Sequence, residues 1–196
     1  MFTIKEAAFF EQTINKSRFL CYLFPVSSVQ EAQDQLSQIR KKHYDATHNC
    51  YAYLIGTDGL TAKFSDDGEP SQTAGIVIQE VLKKNDLTNI LAIVTRYFGG
   101  IKLGSGGLIR AYGSSVSEAI RMVEKLKIEQ TIILKINADY SYLNTINKLL
   151  EDYEITNRSF NEAVEIEVKI PLHEKDSLMQ SLINATNNNI QIETVE

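Results

Sequence analysis

Two hydrophobic periods alternate along the chain and mark out its elements. Glu6 to Ile14 and Arg18 to Val26 are apolar-rich and β-prone, with Asn15-Lys16-Ser17 between them, which predicts a hairpin whose second strand ends at Pro25. The spacing then changes. Ser28-Val29-Gln30-Glu31 has the form of a capping box, and Val29, Ala32, Leu36 and Ile39 mark one face of a helix ending near Lys42. Asn49 to Ile55 predicts a strand, Gly56-Thr57-Asp58-Gly59 a turn, and the residues up to Ser65 a second short strand. Ala74, Val77, Ile78 and Val81 share a helix face, and Ser71 or Thr73 is expected to cap that helix. Ile90 to Val94 is too short for a helix and rich in branched residues, so it reads as a buried strand. Beyond it Leu108, Tyr112, Val116, Ala119, Ile120 and Val123 recur at helical spacing.

After Lys125-Leu126-Lys127 the character changes. Ile132, Leu134, Ile136 and Ala138 alternate along a strand, and Leu143, Ile146, Leu149, Leu150 and Tyr153 give a helix begun near Ser141. Ile155 to Phe160 and Val164 to Ile170 form a hairpin around Asn161-Glu162. Pro171 opens a helix with Leu178 and Leu182 inward, and Asn187-Asn188-Asn189 turns into a last strand. That order is βαββαβ, the ferredoxin-like pattern. The expected architecture is therefore α+β in two domains, residues 1–127 and 128–196.

Charge follows the same division. The net charge is −5, but residues 1–127 hold fifteen Lys+Arg against thirteen Asp+Glu, and residues 128–196 hold five against twelve. The first part is thus +2 and the second −7. General polyanion binders are basic overall, so any nucleic-acid contact has to come from a local patch on the first part. The second domain has the composition of a packing or docking module with an acidic surface. Cys21 and Cys50 lack a metal-type spacing and read as reduced thiols in a cytoplasmic protein. No run reaches membrane-spanning length, so no membrane partner is expected.

The chemistry concentrates in Val94 to Gly113. Every glycine lies between Gly56 and Gly113, and Gly99, Gly100, Gly104, Gly106 and Gly107 fall in one window between the buried strand and the helix after it. Such a loop at a helix N-terminus can turn several N–H groups toward an anion. Arg96, Lys102 and Arg110 add three cations with no acid in the stretch. Glycines at this position can also simply make a tight corner. A second dense loop, Ser65 to Gly75, holds Asp66, Asp67 and Glu69 with Ser71 and Thr73. It reads either as a polar rim or weak Mg²⁺ site, or as a turn before a capped helix. His43 and His48 have no metalloprotease spacing and read as hydrogen-bonding residues. No nucleophile–base signature is legible, and neither a cofactor nor a metal is expected.

Three stretches together carry a resemblance. His48-Asn49-Cys50-Tyr51-Ala52-Tyr53, then Ser65 to Ser71 through Thr73-Ala74-Gly75, then Val94 to Gly104 through Gly106 to Tyr112, resemble the signature of the IMPACT family, in its bacterial YigZ/YvyE branch. The βαββαβ tail matches that branch's second domain, so the resemblance spans essentially the whole chain. It implies a first domain with the fold shared by a small-subunit ribosomal protein, domain IV of elongation factor G and GHMP-type small-molecule kinases. It implies a second domain like domain V of elongation factor G. Eukaryotic relatives regulate translation by binding the activator of a kinase that phosphorylates an initiation factor. Two positions depart from the pattern: Gln72 stands where the family usually has Gly, and Val77 where Pro is frequent.

The function expected is a non-enzymatic, translation-linked binding protein that contacts RNA, the ribosome or a translation-associated protein. Its contact residues would be Arg96, Tyr97, Gly99, Gly100, Lys102, Gly104, Ser105, Gly106, Gly107 and Arg110. His48, Asn49, Asp66, Asp67, Glu69, Ser71 and Thr73 would form the supporting polar loop. Tyr97 is expected to stack on an unpaired base. Two alternatives stand beside it. One is a nucleotide-dependent enzyme resembling the small-molecule kinases, with Asp66 or Asp67 serving Mg²⁺ or acting as base. The other is a pure protein-interaction module.

Overall fold

In the computed structural model, which describes residues 1–56, 59–160 and 163–195, the chain divides into two units, Met1–Ile128 and Glu129–Glu196. The expected turns at Thr57-Asp58 and Asn161-Glu162 lie outside the described residues.

The first unit runs β1 (Phe2–Ile4), β2 (Ala8–Ile14), β3 (Ser17–Pro25), α1 (Val29–Lys42), β4 (His48–Ile55), β5 (Thr61–Ser65), α2 (Gly75–Lys84), β6 (Ile90–Tyr97), α3 (Gly104–Arg121) and β7 (Lys125–Lys127). Asn15 and Lys16 stand at φ 46° and 64°, the two positive values that a type I′ turn needs to close the β2–β3 hairpin. The main sheet is antiparallel throughout, in the order β2-β3-β6-β4-β5. Its centre, β6, is the branched run of the sequence, buried from Ile90 to Arg96.

Strand parity sorts the side chains. Ala92 and Val94 of β6, Cys21 and Leu23 of β3, and Cys50 and Ala52 of β4 form one cluster with Ile78, Leu82, Tyr112 and Val116 of α2 and α3. Leu91 and Ile93 of β6, Tyr22 of β3 and Tyr51 of β4 form another with Leu36 and Ile39 of α1. The sheet is therefore sandwiched, with α2 and α3 on one face and α1 on the other. Short strands β1 and β7, which the hydrophobic pattern does not reveal, pair antiparallel.

Two local expectations need correcting. The helix after β6 starts at Gly104 rather than near Leu108, so Gly104, Gly106 and Gly107 belong to its first turn and not to a loop. Neither Ser71 nor Thr73 caps α2: the Thr73 hydroxyl donates to the Pro70 carbonyl at 2.6 Å, and Ser71 is exposed. Asp66 caps the helix from a distance, accepting from the Ala74 and Gly75 N–H groups at 3.0 and 2.8 Å. A carboxylate at a helix start also complements the macrodipole.

The second unit runs β8 (Thr131–Ala138), α4 (Leu143–Leu149), β9 (Glu154–Phe160), β10 (Val164–Pro171), α5 (Lys175–Ala185) and β11 (Ile190–Val195). This is the βαββαβ order that the sequence predicts, with an antiparallel sheet ordered β11-β8-β10-β9. Leu134, Ile136, Val164, Ile166, Leu178 and Leu182 are in its core. Pro171 ends β10 instead of opening a helix, and a 3₁₀ turn at Leu172–Glu174 leads into α5. Asp139 caps the turn before α4 by accepting from the Ser141 N–H at 2.8 Å. Among the described residues no helix is long and apolar enough to cross a membrane.

Candidate functional site

Arg96 does not lie on an exposed loop. It shares the parity of Ala92 and Val94, which turns its side chain to the α3 face, and it is 5% exposed. Its Nη1 donates to Glu69 Oε1 at 2.7 Å and its Nη2 to Ser17 Oγ at 3.3 Å. The guanidinium lies 5.5 Å from the Phe19 ring and 5.4 Å from the Phe98 ring, a cation–π arrangement on both. Its Nε is buried without a hydrogen-bond partner. The Tyr112 hydroxyl also donates to Glu69 Oε1, at 2.7 Å. Burial is the first reason that this phenol is pushed far above its ordinary range. His48 donates from Nδ1 to the Asp67 carbonyl at 2.8 Å, which leaves its Nε2 facing Glu69 Oε2 at 3.8 Å. Arg96 is thus a neutralised core cation, and Glu69 is the hub that gathers it.

The Ser65–Gly75 segment is built around its carboxylates. Besides capping α2, Asp66 accepts from the Gln72 N–H at 3.0 Å. Asp67 accepts from the Asn49 N–H at 2.7 Å and pairs with Arg40 at 2.8 Å. The Asn49 side chain in turn accepts from Thr95 Oγ1 at 2.8 Å. Both aspartates are therefore taken up in joining the segment to α2, β4 and α1, and a weak Mg²⁺ site drawn from them has lost its free oxygens. Among the described residues no acidic, His or Cys cluster has metal-holding geometry. Gln72 stands at φ 65°, a left-handed conformation that glycine adopts without strain. The position retains a glycine backbone with another side chain on it.

Tyr97 leaves the expected group as well. Its parity is opposite to that of Arg96, and it packs against the α1-side cluster. Its hydroxyl meets His43 Nδ1 at 2.9 Å and donates to Asp45 at 3.1 Å. Gly99 is a close-packing glycine: a Cβ there would overlap the Lys16 carbonyl, and its N–H donates to Ser17 Oγ at 3.1 Å. Gly100 and Gly104 have φ 85° and 70° and open space where a Cβ would stand.

A cleft of about 450 Å³ opens at the start of α3. His48, Glu69, Arg96, Lys102, Gly104 and Ser105 line it, so six of the expected residues do converge. Arg110 borders a different hollow, with Ile14, Asn15 and Leu103. The first four N–H groups of a helix have no partner inside it, and no side chain caps α3. Lys102 is exposed beside them, and among the described residues neither it nor Arg110 enters an ion pair. The remaining wall is Thr47 and the apolar Pro70, Phe98, Leu103 and Leu108. Chemically this is a concave surface with uncapped donors, one exposed cation and a flat aromatic ring.

Sequence reasoning misses Ser17, Thr47, Phe98 and Tyr112. Thr47 holds the strand exit by accepting from the Phe98 N–H at 2.9 Å. Tyr112 sits on the apolar face of α3, and the one available signal was that a buried Tyr needs a partner for its hydroxyl.

Comparison with known proteins bears on both units. The Impact N-terminal domain matches residues 15–120, and a domain of unknown function, DUF1949, matches residues 136–189. The chain is 44% identical over 197 residues to the IMPACT family member YvyE of Bacillus subtilis (strain 168), covering 100% of this chain and 91% of that one. It is 32% identical over 189 residues to the IMPACT family member YigZ of Escherichia coli (strain K12), covering 94% and 93%. A protein IMPACT homolog of Dictyostelium discoideum is 42% identical over 96 residues, which is 47% of this chain and 27% of that one. A crystal structure of a hypothetical protein superposes with a TM-score of 0.71 at 31% identity, covering 100% of this chain and 97% of that one.

Proposed function

Because the chain belongs to the IMPACT family, we propose that it is a non-enzymatic, translation-linked binding protein whose first unit receives an RNA phosphate at the start of α3. The observation that carries this reading is the uncapped N-terminus of an 18-residue helix beside exposed Lys102. Oriented N–H groups and the helix dipole favour an anion there. Phosphate contacts position a protein without reading sequence. The same membership supports reading the first unit as the fold of a small-subunit ribosomal protein and domain IV of elongation factor G. It likewise supports a ferredoxin-like second unit resembling domain V of that factor.

Of the three cations expected from sequence, two remain for this work, because Arg96 is taken by Glu69. Each phosphate neutralised contributes about 0.7 to 0.9 to the log–log salt slope, so Lys102 and Arg110 give a slope of roughly 1.4 to 1.8. Co-sedimentation with ribosomes over a salt series tests this for wild type and for Lys102→Glu/Arg110→Glu. The double variant keeps the Arg96–Glu69 pair and is expected to fold and to lose association. Undiminished binding by that variant overturns the RNA reading.

A protein-interaction reading has its own support: Phe98, Ile101 and Ile109 are 45%, 44% and 42% exposed around the start of α3. The kinase-like reading has lost its proposed base and Mg²⁺ ligands to the anchoring of the Ser65–Gly75 segment.

A further inference from the structure

Glu69 is only half used by the core that surrounds it. Its side chain is 3% exposed, and Oε1 takes both Arg96 Nη1 and the Tyr112 hydroxyl. Oε2 accepts no hydrogen bond among the described residues, yet it is not sealed in. The unpaired side-chain polar atoms that are closed off from solvent are Arg96 Nε and Asn147 Oδ1. A carboxylate oxygen in the interior needs a donor, and this one opens on the cleft that Glu69 lines. Its near neighbour does not supply one. Because His48 Nδ1 donates to the Asp67 carbonyl, the neutral ring presents Nε2 as an acceptor. That Nε2 stands 3.8 Å from Glu69 Oε2, and His48 lines the same cleft. Two acceptors therefore face one gap, with no donor between them.

From this pair we infer that the gap takes the exocyclic amino group of a nucleobase in single-stranded RNA, so that the cleft accepts cytosine or adenine and refuses uracil. The inference rests on the RNA reading above and adds which base the strand presents.

Hydrogen count and charge select the group. Acceptors 3.8 Å apart can both lie about 2.9 Å from one nitrogen placed beside them, and filling both takes two hydrogens on that nitrogen. A hydroxyl has one. An ammonium has enough, but Arg96 already neutralises Glu69, and Lys102 with the start of α3 makes the rest of the cleft positive. A neutral amino group meets both conditions. The wall calls for a flat carrier: the Arg96 guanidinium lies 5.4 Å from the Phe98 ring on one side, and the ring's exposed remainder, 45% of the residue, is a face on which a base can stack. Lys102 on the same cleft is placed for a phosphate of the same strand. Uracil carries a carbonyl oxygen where cytosine carries its amino group, and so brings a third acceptor to the gap. The side-chain amide of Asn or Gln on a partner protein has the right group but uses neither the ring nor the cation.

The experiment measures binding of labelled oligocytidylate and oligouridylate of equal length to the full chain by fluorescence anisotropy, with cytidine, uridine and propionamide as competitors. Oligocytidylate is expected to bind about tenfold more tightly than oligouridylate, the worth of one hydrogen bond to a charged acceptor. Cytidine should compete and uridine should not. His48→Asn keeps an amide donor for the Asp67 carbonyl and removes Nε2, and is expected to bring oligocytidylate down to the level of oligouridylate while leaving oligouridylate unchanged. Should that variant fail to fold, Glu69→Met/Arg96→Met is to show the same levelling. Equal binding of the two strands to wild type overturns the amino-group site and leaves the RNA reading standing, whereas binding of neither removes both. A preference that survives in the folded variant also overturns the site. Cytidine as tight as the strand overturns RNA as the source of the base in favour of a free nucleoside. Propionamide competing as well as cytidine overturns the base and identifies an amide side chain of a protein partner.

Discussion

The Arg96 guanidinium and the Glu69 carboxylate meet at 2.7 Å with side chains 6% and 3% exposed, across 27 residues of sequence. Arg96 belongs to the central strand and Glu69 to the segment before α2. The pair therefore fixes the Ser65–Gly75 segment against the sheet from inside the core. Glu69 also receives the Tyr112 hydroxyl of α3, so one carboxylate ties three elements together.

Removing one partner of a buried pair leaves an uncompensated charge and costs about 3–5 kcal/mol. Glu69→Gln is expected to lose stability of that order in urea unfolding. Replacing both residues by methionine is expected to recover most of the loss, since apolar replacement of a buried pair is often close to neutral. A Glu69→Gln variant as stable as wild type would show that the pair contributes nothing.

Gln72 is expected to be improvable. At φ 65° a non-glycine residue carries strain of about 1–2 kcal/mol, and the backbone N–H that serves Asp66 is kept by glycine. Gln72→Gly should therefore raise stability by about 1 kcal/mol, less the entropy that glycine adds to the unfolded chain. Chemical denaturation reads the difference, and a loss would mean that the Gln72 side chain has a role of its own.

His43 predicts a dependence on pH. The Tyr22 hydroxyl lies 2.7 Å from Nε2 and the Tyr97 hydroxyl 2.9 Å from Nδ1. Because Tyr97 donates onward to Asp45, Nδ1 carries the proton and Nε2 accepts from Tyr22. Burial first, then Lys42 and Arg18, holds the imidazole below its ordinary value of 6.5, with Asp45 pulling the other way. The unfolded chain therefore takes up this proton before the folded one does. The contribution is fully present above about pH 6.5 and is lost as pH falls through the lower folded value. Melting temperatures of wild type and His43→Gln should diverge above pH 6.5 and converge below it.

The boundary of the first unit can be tested by truncation. Residues 1–128 are expected to unfold cooperatively alone, whereas residues 1–124 lack β7. Losing it unpairs β1, which carries Ile4 at 1% exposure. A non-cooperative 1–128 fragment, measured by thermal unfolding and NMR dispersion, would show that the two units depend on each other.

The elements of both units were legible because long apolar periods decide them: the β2–β3 hairpin, α1, the buried β6 run and the βαββαβ tail. Short strands β1 and β7 were not, since three residues give no period. Arg96 falls among the expected contact residues, although its parity with Ala92 and Val94 already turns it inward. Its neighbour Tyr97 then has to face the other way, so the two could not share a site. Glu69 as the partner was beyond reach, because nothing local links residues 69 and 96. The capping of α2 failed for the same reason: the sequence offered nearby hydroxyls, and the fold brought Asp66 instead.

Ser17 has a consequence for the cleft that reaches across the molecule. Its single hydroxyl oxygen receives both Arg96 Nη2 and the Gly99 N–H, while Gly99 presses on the Lys16 carbonyl. The start of α3 thus takes its alignment from a hairpin turn about eighty positions earlier. The Asn15–Lys16 corner therefore belongs to the scaffold that holds the strand exit ahead of α3, without being part of the cleft.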